Sequence, residues 1–351
     1  METTDPAHWG HSLVNLAEPL LGCLDAAGAR SVAEVGAYAG DLTRLLLDWA
    51  AGAGARVTAI EPAPHPALSD LAVRHPELEL VRETSREALA HLPLPDAVLI
   101  DSDHNYYTVS EELRLIDERA SEAGLPLLIF HDVGWPNGRR DSYWRLERVP
   151  EEHRQPTARL PALLPGNPGL AEDGLVTLTS AAHEGGPRNG VLTAIEDFLE
   201  GRDDLRMTTV SAFFGLGVVW RADAPWAPKL AEFLRPWGGN PLLERLEANR
   251  VLHLATSHGR LVRLERAETA LQEQLEDKAQ LERSLAESKA ELDRLRARTQ
   301  HQERVLRGLL DSGGLRVADR ISALRHPRRD WSWPDRIGRA LSGGPGGSDT
   351  R

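Results

Sequence analysis

The chain has 351 residues, 41% hydrophobic side chains and a formal net charge of −12 at pH 7. Its length and apolar content are enough for a full hydrophobic core with appended segments, while the acidic balance argues against a general nucleic-acid-binding protein, which needs a basic face. The single cysteine, Cys23, excludes a disulfide framework and a cysteine-rich zinc site; no run of about 18 apolar residues occurs, and residues 1–11 lack the features of a signal peptide. We therefore expect a soluble protein of the cytoplasm.

Short apolar runs alternate with amphipathic stretches along the first two-thirds of the chain. The apolar runs, each predicted as a strand, are residues 31–37, 56–62, 78–83, 97–101 and 125–132. The amphipathic stretches, each predicted as a helix, are residues 41–51, 66–74, 85–91 and 106–123. This alternation predicts an α/β fold with a parallel, doubly wound sheet. A helix over residues 189–201 then precedes "LRMTTVSAF" and "GLGVVWR", which predict an antiparallel hairpin at the end of the sheet.

The turn after the first strand, "EVGAYAGD", indicates which ligand the sheet binds. In an open α/β sheet the ligand lies at the carboxyl ends of the strands, over this first turn. Gly36 and Gly40 have the spacing GxxxG and not the GxGxxG that a dinucleotide pyrophosphate requires. Glu34 would repel a phosphate but suits a cationic ligand, and Glu61 ends the second strand, where it can accept hydrogen bonds from two ribose hydroxyls. These features favour S-adenosylmethionine, which has no phosphate, over NAD.

Thr84 and Ser85 follow the third strand, and two interpretations fit them. They would lie near the adenine ring of the cofactor, or they cap the helix that follows. With Ser85 as the cap, the residue three positions on is Ala88, which does not complete a capping box.

The ordered motifs "EVGAYAGDLTRLL", "AIEP", "LIDSDHNYYTVSEEL" and "LIFHDV", over roughly residues 10–222, carry a resemblance to a known family. The chain resembles the class I S-adenosylmethionine-dependent methyltransferases, within them the small-molecule group of cephalosporin-hydroxylase-like and macrolide O-methyltransferase-like proteins. This resemblance implies a Rossmann-like fold, an S-adenosylmethionine cofactor and oxygen as the methylated atom. Several related O-methyltransferases hold a metal at the ends of these same strands, although His131 beside Asp132 departs from their usual pair of acidic or amide ligands.

Polar side chains end the fourth and fifth strands and should share one rim of the sheet. Asp101, Asp103 and His104 end the fourth strand, and His131 and Asp132 end the fifth. Adjacent strands are about 4.8 Å apart, so Asp101 and Asp132 lie within reach of one cation. Asp101, His131 and Asp132 would suit Mg²⁺ or Mn²⁺ as ligands.

Two other interpretations of these residues stay open. Methyl transfer without a metal needs a general base, and His104 or His131 would serve if its pKa lies near neutrality. Alternatively, Asp101 and His104 only form local hydrogen bonds that cap the helix starting near Tyr106.

Residues 133–188 are too long for an ordinary connection in a compact domain. They contain Trp135, Tyr143 and Trp144, and a disordered linker seldom holds so many aromatic residues. We expect a lid over the substrate edge of the sheet; the alternative is a packed surface excursion.

Residues 261–309 are rich in Leu, Glu, Arg and Gln, and they predict a coiled coil. With Leu264 at position a, nine of the fourteen seam positions are apolar. The seam consists of Leu264, Ala267, Leu271, Gln274, Lys278, Leu281, Leu285, Ser288, Leu292, Leu295, Thr299, Gln302, Leu306 and Leu309. A parallel homodimer is the favoured interpretation, and a single solvated helix is the alternative.

The C-terminal tail reverses the charge balance of the chain. Residues 316–341 hold seven arginines and three aspartates, with Trp331 and Trp333 among them. Such a segment is typical of weak contact with an anionic membrane surface or an acidic partner; the alternative is a weakly ordered tail with a flexible Gly/Ser-rich end.

Together these features predict a methyltransferase domain (1–222), a helical linker (223–258), a coiled coil (259–310) and a basic tail (311–351). The predicted function is O-methylation of a small molecule or saccharide. The competing interpretations are a non-catalytic module acting through its coiled coil in a larger assembly, and an NAD-dependent oxidoreductase. No motif identifies the methyl acceptor.

Overall fold

The computed structural model describes residues 12–120 and 124–342. The chain divides into two compact units, Met1–Glu265 and Arg266–Arg351. Three expectations concern residues outside the described ranges. They are the lack of signal-peptide features in residues 1–11, the end of the helix predicted over 106–123, and the flexible Gly/Ser-rich terminus (343–351). Among the described residues, no helix combines the length and apolar character that crossing a membrane requires.

The strands and helices of the sheet domain follow the predicted alternation. The parallel strands are β1 (Ser31–Val35), β2 (Arg56–Ile60), β3 (Leu78–Val81), β4 (Ala97–Ile100) and β5 (Leu127–Phe130). A 3-10 helix (Leu13–Leu16) leads into α1 (Ala17–Ala27), and the strands are followed by α2 (Asp41–Ala53), α3 (Pro66–Arg74), α4 (Ser85–His91) and α5 (Tyr106–Arg119). Further along are short strands β6 (Thr157–Arg159), β7 (Ala162–Leu163), β8 (Leu175–Val176) and β9 (Thr179–Ala181), then α6 (Val191–Leu199), β10 (Leu205–Val210), β11 (Leu216–Arg221) and α7 (Ala227–Leu234).

The main sheet has the strand order β10–β11–β5–β4–β1–β2–β3. Neighbours among β1 to β5 pair in parallel, whereas β11 pairs antiparallel with both β5 and β10. The predicted Rossmann-like doubly wound fold is therefore confirmed, and β10 and β11 form an antiparallel hairpin.

The central strands are buried on both faces, which explains their continuous apolar sequence. Along β4, Ala97 and Leu99 belong to the core on one face, while Val98 and Ile100 belong to the core on the other. Helices α1, α2 and α7 contribute to the first core, and α4, α5 and α6 contribute to the second.

The sheet reverses its strand order between β1 and β4, which are neighbours in space. Ligands of open α/β sheets lie at such a reversal, beyond the carboxyl ends of the strands. Gly36 follows β1 and Asp101 follows β4, and a Cβ atom on Gly36 would lie 2.0 Å from the carbonyl oxygen of Asp101. Gly36 also has a φ of 91°. Only glycine satisfies both conditions, so this turn can approach β4 closely.

The segment 133–188 is folded against the sheet domain. It contains two small antiparallel sheets, β6 with β9 and β7 with β8. Arg140 is buried and donates hydrogen bonds to the carbonyl oxygens of Ala181 (2.6 Å) and Pro168 (2.8 Å). The buried carboxylate of Asp141 accepts hydrogen bonds from the backbone N–H groups of Tyr106 and Gly190, each at 2.7 Å. These bonds fix the segment at both of its ends; its role as a lid stays a prediction.

Up to residue 342, where the described residues end, three helices follow the sheet domain: α8 (Pro241–Asp311), α9 (Gly313–Arg325) and α10 (Trp333–Leu341). The predicted boundary between linker and coiled coil lies between residues 258 and 259, and helix α8 continues through it without a break. The limits of the four predicted domains remain a prediction. Seven seam leucines of α8 are 47–70% exposed: Leu264, Leu271, Leu281, Leu285, Leu292, Leu295 and Leu309.

Candidate functional site

Two carboxylates and two imidazoles converge where β4 and β5 end. Asp101 Oδ1 lies 3.1 Å from His104 Nε2 and 3.2 Å from His131 Nδ1. Asp132 Oδ2 lies 3.1 Å from His104 Nε2 and 3.4 Å from His131 Nδ1. His131 and Asp132 are buried, whereas the side chains of Asp101 and His104 remain 25% and 32% exposed. We call these four residues the polar cluster; one edge of it is open to a ligand.

Contact with both carboxylates changes the pKa values of the two histidines. Burial acts to lower the pKa of each histidine, but the negative charges of Asp132 and Asp101 outweigh it. The pKa of His104 is raised to about 9, and the pKa of His131 lies well above its usual value. These shifts favour the imidazolium form of both rings while no cation is bound, and an imidazolium has no free nitrogen to accept a proton. This result differs from the expectation of a histidine base with a pKa near neutrality.

The orientation of His131 fits a metal ligand. Its Nε2 atom lies 2.9 Å from the carbonyl oxygen of Phe213, which can only accept, so Nε2 carries a hydrogen. Nδ1 therefore faces the carboxylates of Asp101 and Asp132. Metal-binding histidines typically donate their second N–H to a carbonyl or carboxylate in this way. One ligand atom from each of Asp101, His131 and Asp132 lies within 4.8 Å of the others. Two carboxylate oxygens and one imidazole nitrogen suit a divalent cation such as Mn²⁺.

The interpretation of Asp101 and His104 as a helix cap is wrong. The N-cap of α5 is Asn105, whose Oδ1 accepts a hydrogen bond from the Thr108 N–H at 2.9 Å. Asp103 also points elsewhere, because its Oδ1 accepts a hydrogen bond from the backbone N–H of Trp144 at 2.7 Å. The side chains of Asp101 and His104 therefore bond within the polar cluster and not to the end of α5.

The turn from Gly36 to Gly40, called the glycine turn below, approaches the backbone of Asp101, and Glu61 follows β2, the neighbour of β1 in the sheet. Glu61 Oε2 accepts a hydrogen bond from the Tyr38 N–H at 3.0 Å, and Oε1 accepts one from the Ala63 N–H at 2.9 Å. Gly40 has a φ of 81°, and a Cβ atom there would lie 3.1 Å from the Leu68 side chain. The turn therefore holds the Glu61 carboxylate in a defined orientation at the end of β2.

Glu34 is buried, and burial changes the charge that the sequence predicted for it. The prediction that Glu34 repels a phosphate and attracts a cation assumed an ionised carboxylate. Its Oε2 accepts a hydrogen bond from the Thr43 hydroxyl at 2.6 Å. Burial raises the pKa of Glu34 to about 8, against the lowering effect of that hydrogen bond. Without a ligand the carboxyl is mostly neutral at pH 7, so a cation bound nearby would favour its ionisation.

Thr84 caps α4, and the capping box is complete. The Thr84 hydroxyl and backbone N–H both bond to Glu87 Oε2, at 2.7 and 3.0 Å, and the Glu87 N–H donates back to Thr84 Oγ1. The N-cap is Thr84 and not Ser85, so the residue three positions on is Glu87 and not Ala88. Thr84 also borders an open depression of about 720 Å³ that Pro62 and Arg82 line as well. Whether Thr84 and Ser85 contact a cofactor stays a prediction.

A buried acid bonded to the residue after Asp101 was not predicted from the sequence. Glu112 on α5 is fully buried, and its Oε1 accepts a hydrogen bond from the Ser102 hydroxyl at 2.7 Å. Burial raises the pKa of Glu112 to about 7. The signal in the sequence is an acid among Val109, Leu113 and Ile116 on the apolar face of an otherwise amphipathic helix.

Comparison with known proteins supports the family resemblance. Residues 33–133 match the family model described as a methyltransferase domain. This range runs from β1 to just past the polar cluster, so the predicted class I methyltransferase resemblance is confirmed for this part of the chain. No curated protein matches the chain.

Several solved structures are similar at low identity. The methyltransferase PaMTH1 of Podospora anserina, bound to S-adenosylhomocysteine, is 13% identical with a TM-score of 0.41, over 63% of this chain and 84% of its own. A Staphylococcus aureus protein described as a putative caffeoyl-CoA O-methyltransferase is 12% identical with a TM-score of 0.36, over 59% of this chain and 83% of its own. The O-methyltransferase NcsB1 of neocarzinostatin biosynthesis is 15% identical with a TM-score of 0.35, over 57% of this chain and 51% of its own.

Proposed function

We propose that this protein transfers a methyl group from S-adenosylmethionine to an oxygen atom of a small molecule or saccharide. The observation that carries the proposal is the convergence of the glycine turn and the polar cluster at the strand-order reversal between β1 and β4. At that place Gly36 touches the backbone of Asp101. The same residues lie inside the segment that matches the methyltransferase domain model.

The proposed cofactor site uses residues at the ends of the first four strands. Gly36 and Gly40 carry no side chain over the turn, which leaves space for the cofactor. Each Glu61 oxygen accepts one backbone hydrogen bond and keeps a lone pair for a ribose hydroxyl. Glu34 lies below the turn, where ionisation would stabilise the positive part of the ligand. Thr84, Ser85 and Asp101 complete the proposed set.

Asp101, His131 and Asp132 are proposed to hold Mn²⁺ or Mg²⁺, with the imidazole nitrogen favouring Mn²⁺. When bound, such an ion would lower the pKa of an acceptor hydroxyl and of the neighbouring imidazoles. His131 keeps its Nδ1 directed at the carboxylates through its bond to Phe213. His104 lies on the exposed edge of the cluster, which supports it as the group that would receive the acceptor's proton once a bound cation lowers its pKa.

Two exposed aromatic side chains support the position of the acceptor. Tyr38 in the glycine turn and Trp144 in the 133–188 segment are 56% and 64% exposed. Their ring centroids lie 6.3 Å apart in an edge-to-face arrangement. The backbone N–H of Trp144 donates a hydrogen bond to Asp103. The pair joins the proposed cofactor turn to the proposed lid, so we place the acceptor beside it.

Two partner proposals concern the helices after the sheet domain. The exposed seam leucines of α8 support a homodimer through a coiled coil. On α9, Val317, Ile321 and Leu324 form an exposed apolar stripe, while Arg329 and Arg336 pack on the Trp331 ring. An apolar stripe in a basic segment supports weak binding to an anionic membrane surface.

The tail proposal is tested by sedimentation with vesicles of neutral or anionic lipid. We expect the full chain to bind only the anionic vesicles, less at high salt, and Ile321→Asp to lose this binding. Equal binding by the variant, or no binding by the full chain, would end the proposal; binding to an acidic protein instead would replace it.

The function is tested by methyl incorporation from labelled S-adenosylmethionine into a panel of hydroxylated small molecules and saccharides. Incorporation that Asp132→Asn abolishes supports the proposal. Cofactor binding with no incorporation into any acceptor would favour the non-catalytic module. Binding of NAD in place of S-adenosylmethionine would favour an oxidoreductase.

A further inference from the structure

The turn that joins β10 to β11 has an unusual backbone. Phe213 and Phe214 both lie in the left-handed region, with φ values of 47° and 68°. For a bulky side chain this conformation is unfavourable, and two such residues in succession need support from their surroundings. Glycine would adopt it without strain, yet the chain has glycine only at the next position, Gly215.

The support comes from the first turns of α8. The Glu247 carboxylate accepts hydrogen bonds from the backbone N–H groups of Phe213 (3.0 Å) and Phe214 (2.8 Å). Arg250 binds the same carboxylate through two nitrogens, at 2.6 and 2.7 Å. Its guanidinium also lies 4.4 Å from the centre of the Phe214 ring and 5.3 Å from that of Phe213. One ion pair therefore holds both the backbone and the rings of the turn.

The other side of this turn contacts the polar cluster. The carbonyl oxygen of Phe213 accepts the Nε2–H of His131 at 2.9 Å. The carbonyl oxygen of Phe214 accepts the backbone N–H of Gly134 at 2.6 Å. The left-handed backbone directs these carbonyl groups at the segment containing His131 and Asp132, while the amide groups point at Glu247. A shift of the turn would change the direction of the His131 ring.

We propose that Glu247, held by Arg250, is a positioning residue: it fixes the Phe213–Phe214 turn, and the turn fixes the ring orientation of His131. The Glu247 carboxylate bonds to Phe213, Phe214 and Arg250, so it acts on the polar cluster through the turn. Its consequence for methyl transfer rests on the proposed function, whereas the link from Glu247 to His131 can be measured without cofactor, metal or acceptor.

The test is Glu247→Gln in the full chain, read by ¹⁵N NMR of selectively labelled histidines, with the His131 signal assigned from His131→Gln. Glutamine keeps the size of the side chain, but its amide nitrogen cannot accept the second backbone hydrogen bond. Glu244→Gln is the matched control, because Glu244 lies one turn earlier on α8 and is exposed. We expect changed His131 imidazole shifts in Glu247→Gln and unchanged shifts in Glu244→Gln.

A second readout is the dissociation constant for Mn²⁺, measured by calorimetry. Loss of a group that orients a ligand typically weakens metal affinity about 10- to 100-fold, so we expect at least a tenfold loss in Glu247→Gln and none in the control. Unchanged His131 shifts in a folded Glu247→Gln protein would overturn the proposal. If that variant does not fold, Glu247→Asp, which keeps the charge but shortens the reach, is read in the same way. A wild-type chain that binds no S-adenosylmethionine would refute the proposed function. The NMR result alone would then decide whether Glu247 positions His131.

Discussion

Asp101 and Asp132 face the same imidazole nitrogen of His131, at 3.2 and 3.4 Å, although 31 positions of sequence separate them. They are brought together because β4 and β5 are parallel neighbours whose carboxyl ends meet at one edge. Two carboxylates this close disfavour each other's ionisation unless positive charge lies between them. In the chain alone that charge comes from two imidazolium rings; a divalent cation is the proposed alternative.

The cation proposal predicts a specific loss in Asp132→Asn. Asp132 has a φ of 58°, and asparagine tolerates this left-handed conformation as aspartate does, so the variant should fold. We expect Mn²⁺ affinity, measured by calorimetry, to fall at least about tenfold. Asp103→Asn is the control, because Asp103 bonds to the Trp144 backbone and not to the cluster. Equal Mn²⁺ binding by wild type and Asp132→Asn would contradict the assignment.

The surroundings of two glycines predict opposite effects on stability when each is replaced by alanine. Gly36→Ala places a Cβ atom 2.0 Å from the Asp101 carbonyl oxygen at a φ of 91°, so it should lower the free energy of unfolding by more than about 1 kcal/mol. Gly52→Ala, in α2 with open space around it, should raise that free energy by about 0.5–1 kcal/mol. Urea denaturation measures both. A Gly36→Ala protein as stable as wild type would show that the turn does not approach β4 so closely.

The buried Glu112 predicts a pH dependence of stability. Its pKa is raised by burial to about 7, so between the unfolded pKa near 4.3 and pH 7 the native state binds more protons than the unfolded state. The free energy of unfolding should then fall as the pH rises through this window, with a contribution of up to about 4 kcal/mol. Glu112→Gln should remove this part of the slope. Parallel stability curves for wild type and variant, measured by urea denaturation from pH 4.5 to 8, would refute it.

The exposed seam of α8 predicts that association depends on its leucines. Leu285→Lys with Leu292→Lys places two charges at a positions and should convert the dimer to a monomer. Ala290→Lys with Ala297→Lys adds the same charge at f positions, away from the seam, and should leave the dimer intact. Light scattering coupled to size-exclusion chromatography gives the mass of each protein. A wild-type monomer, or dimers in both double variants, would argue for a single solvated helix.

Local sequence patterns predicted the strands, the helices and the meeting of the two strand ends. The alternation of apolar runs and helical stretches placed β1 to β5 within a few residues, because burial on both faces leaves a continuous apolar sequence. The proximity of Asp101 and Asp132 was predicted from the expectation that β4 and β5 are parallel neighbours in the sheet. The Thr84–Glu87 capping box was also within reach, since its two residues are three positions apart.

Contacts between distant segments could not be predicted in this way. Glu247 and Phe213 are 34 residues apart, and His131 reaches Phe213 across 82 residues. No short pattern encodes a bond from a side chain to a distant backbone carbonyl or amide. The pKa of His104 escaped prediction for the same reason, because it depends on Asp132, which β5 brings to its side.

Calorimetric titration of the purified full chain with S-adenosylmethionine, next to a titration with NAD, is the most direct test of the account. We predict saturable binding of S-adenosylmethionine at one site per chain, lost in Glu61→Ala, and no binding of NAD. Absence of S-adenosylmethionine binding by a folded wild-type chain would contradict the methyltransferase proposal.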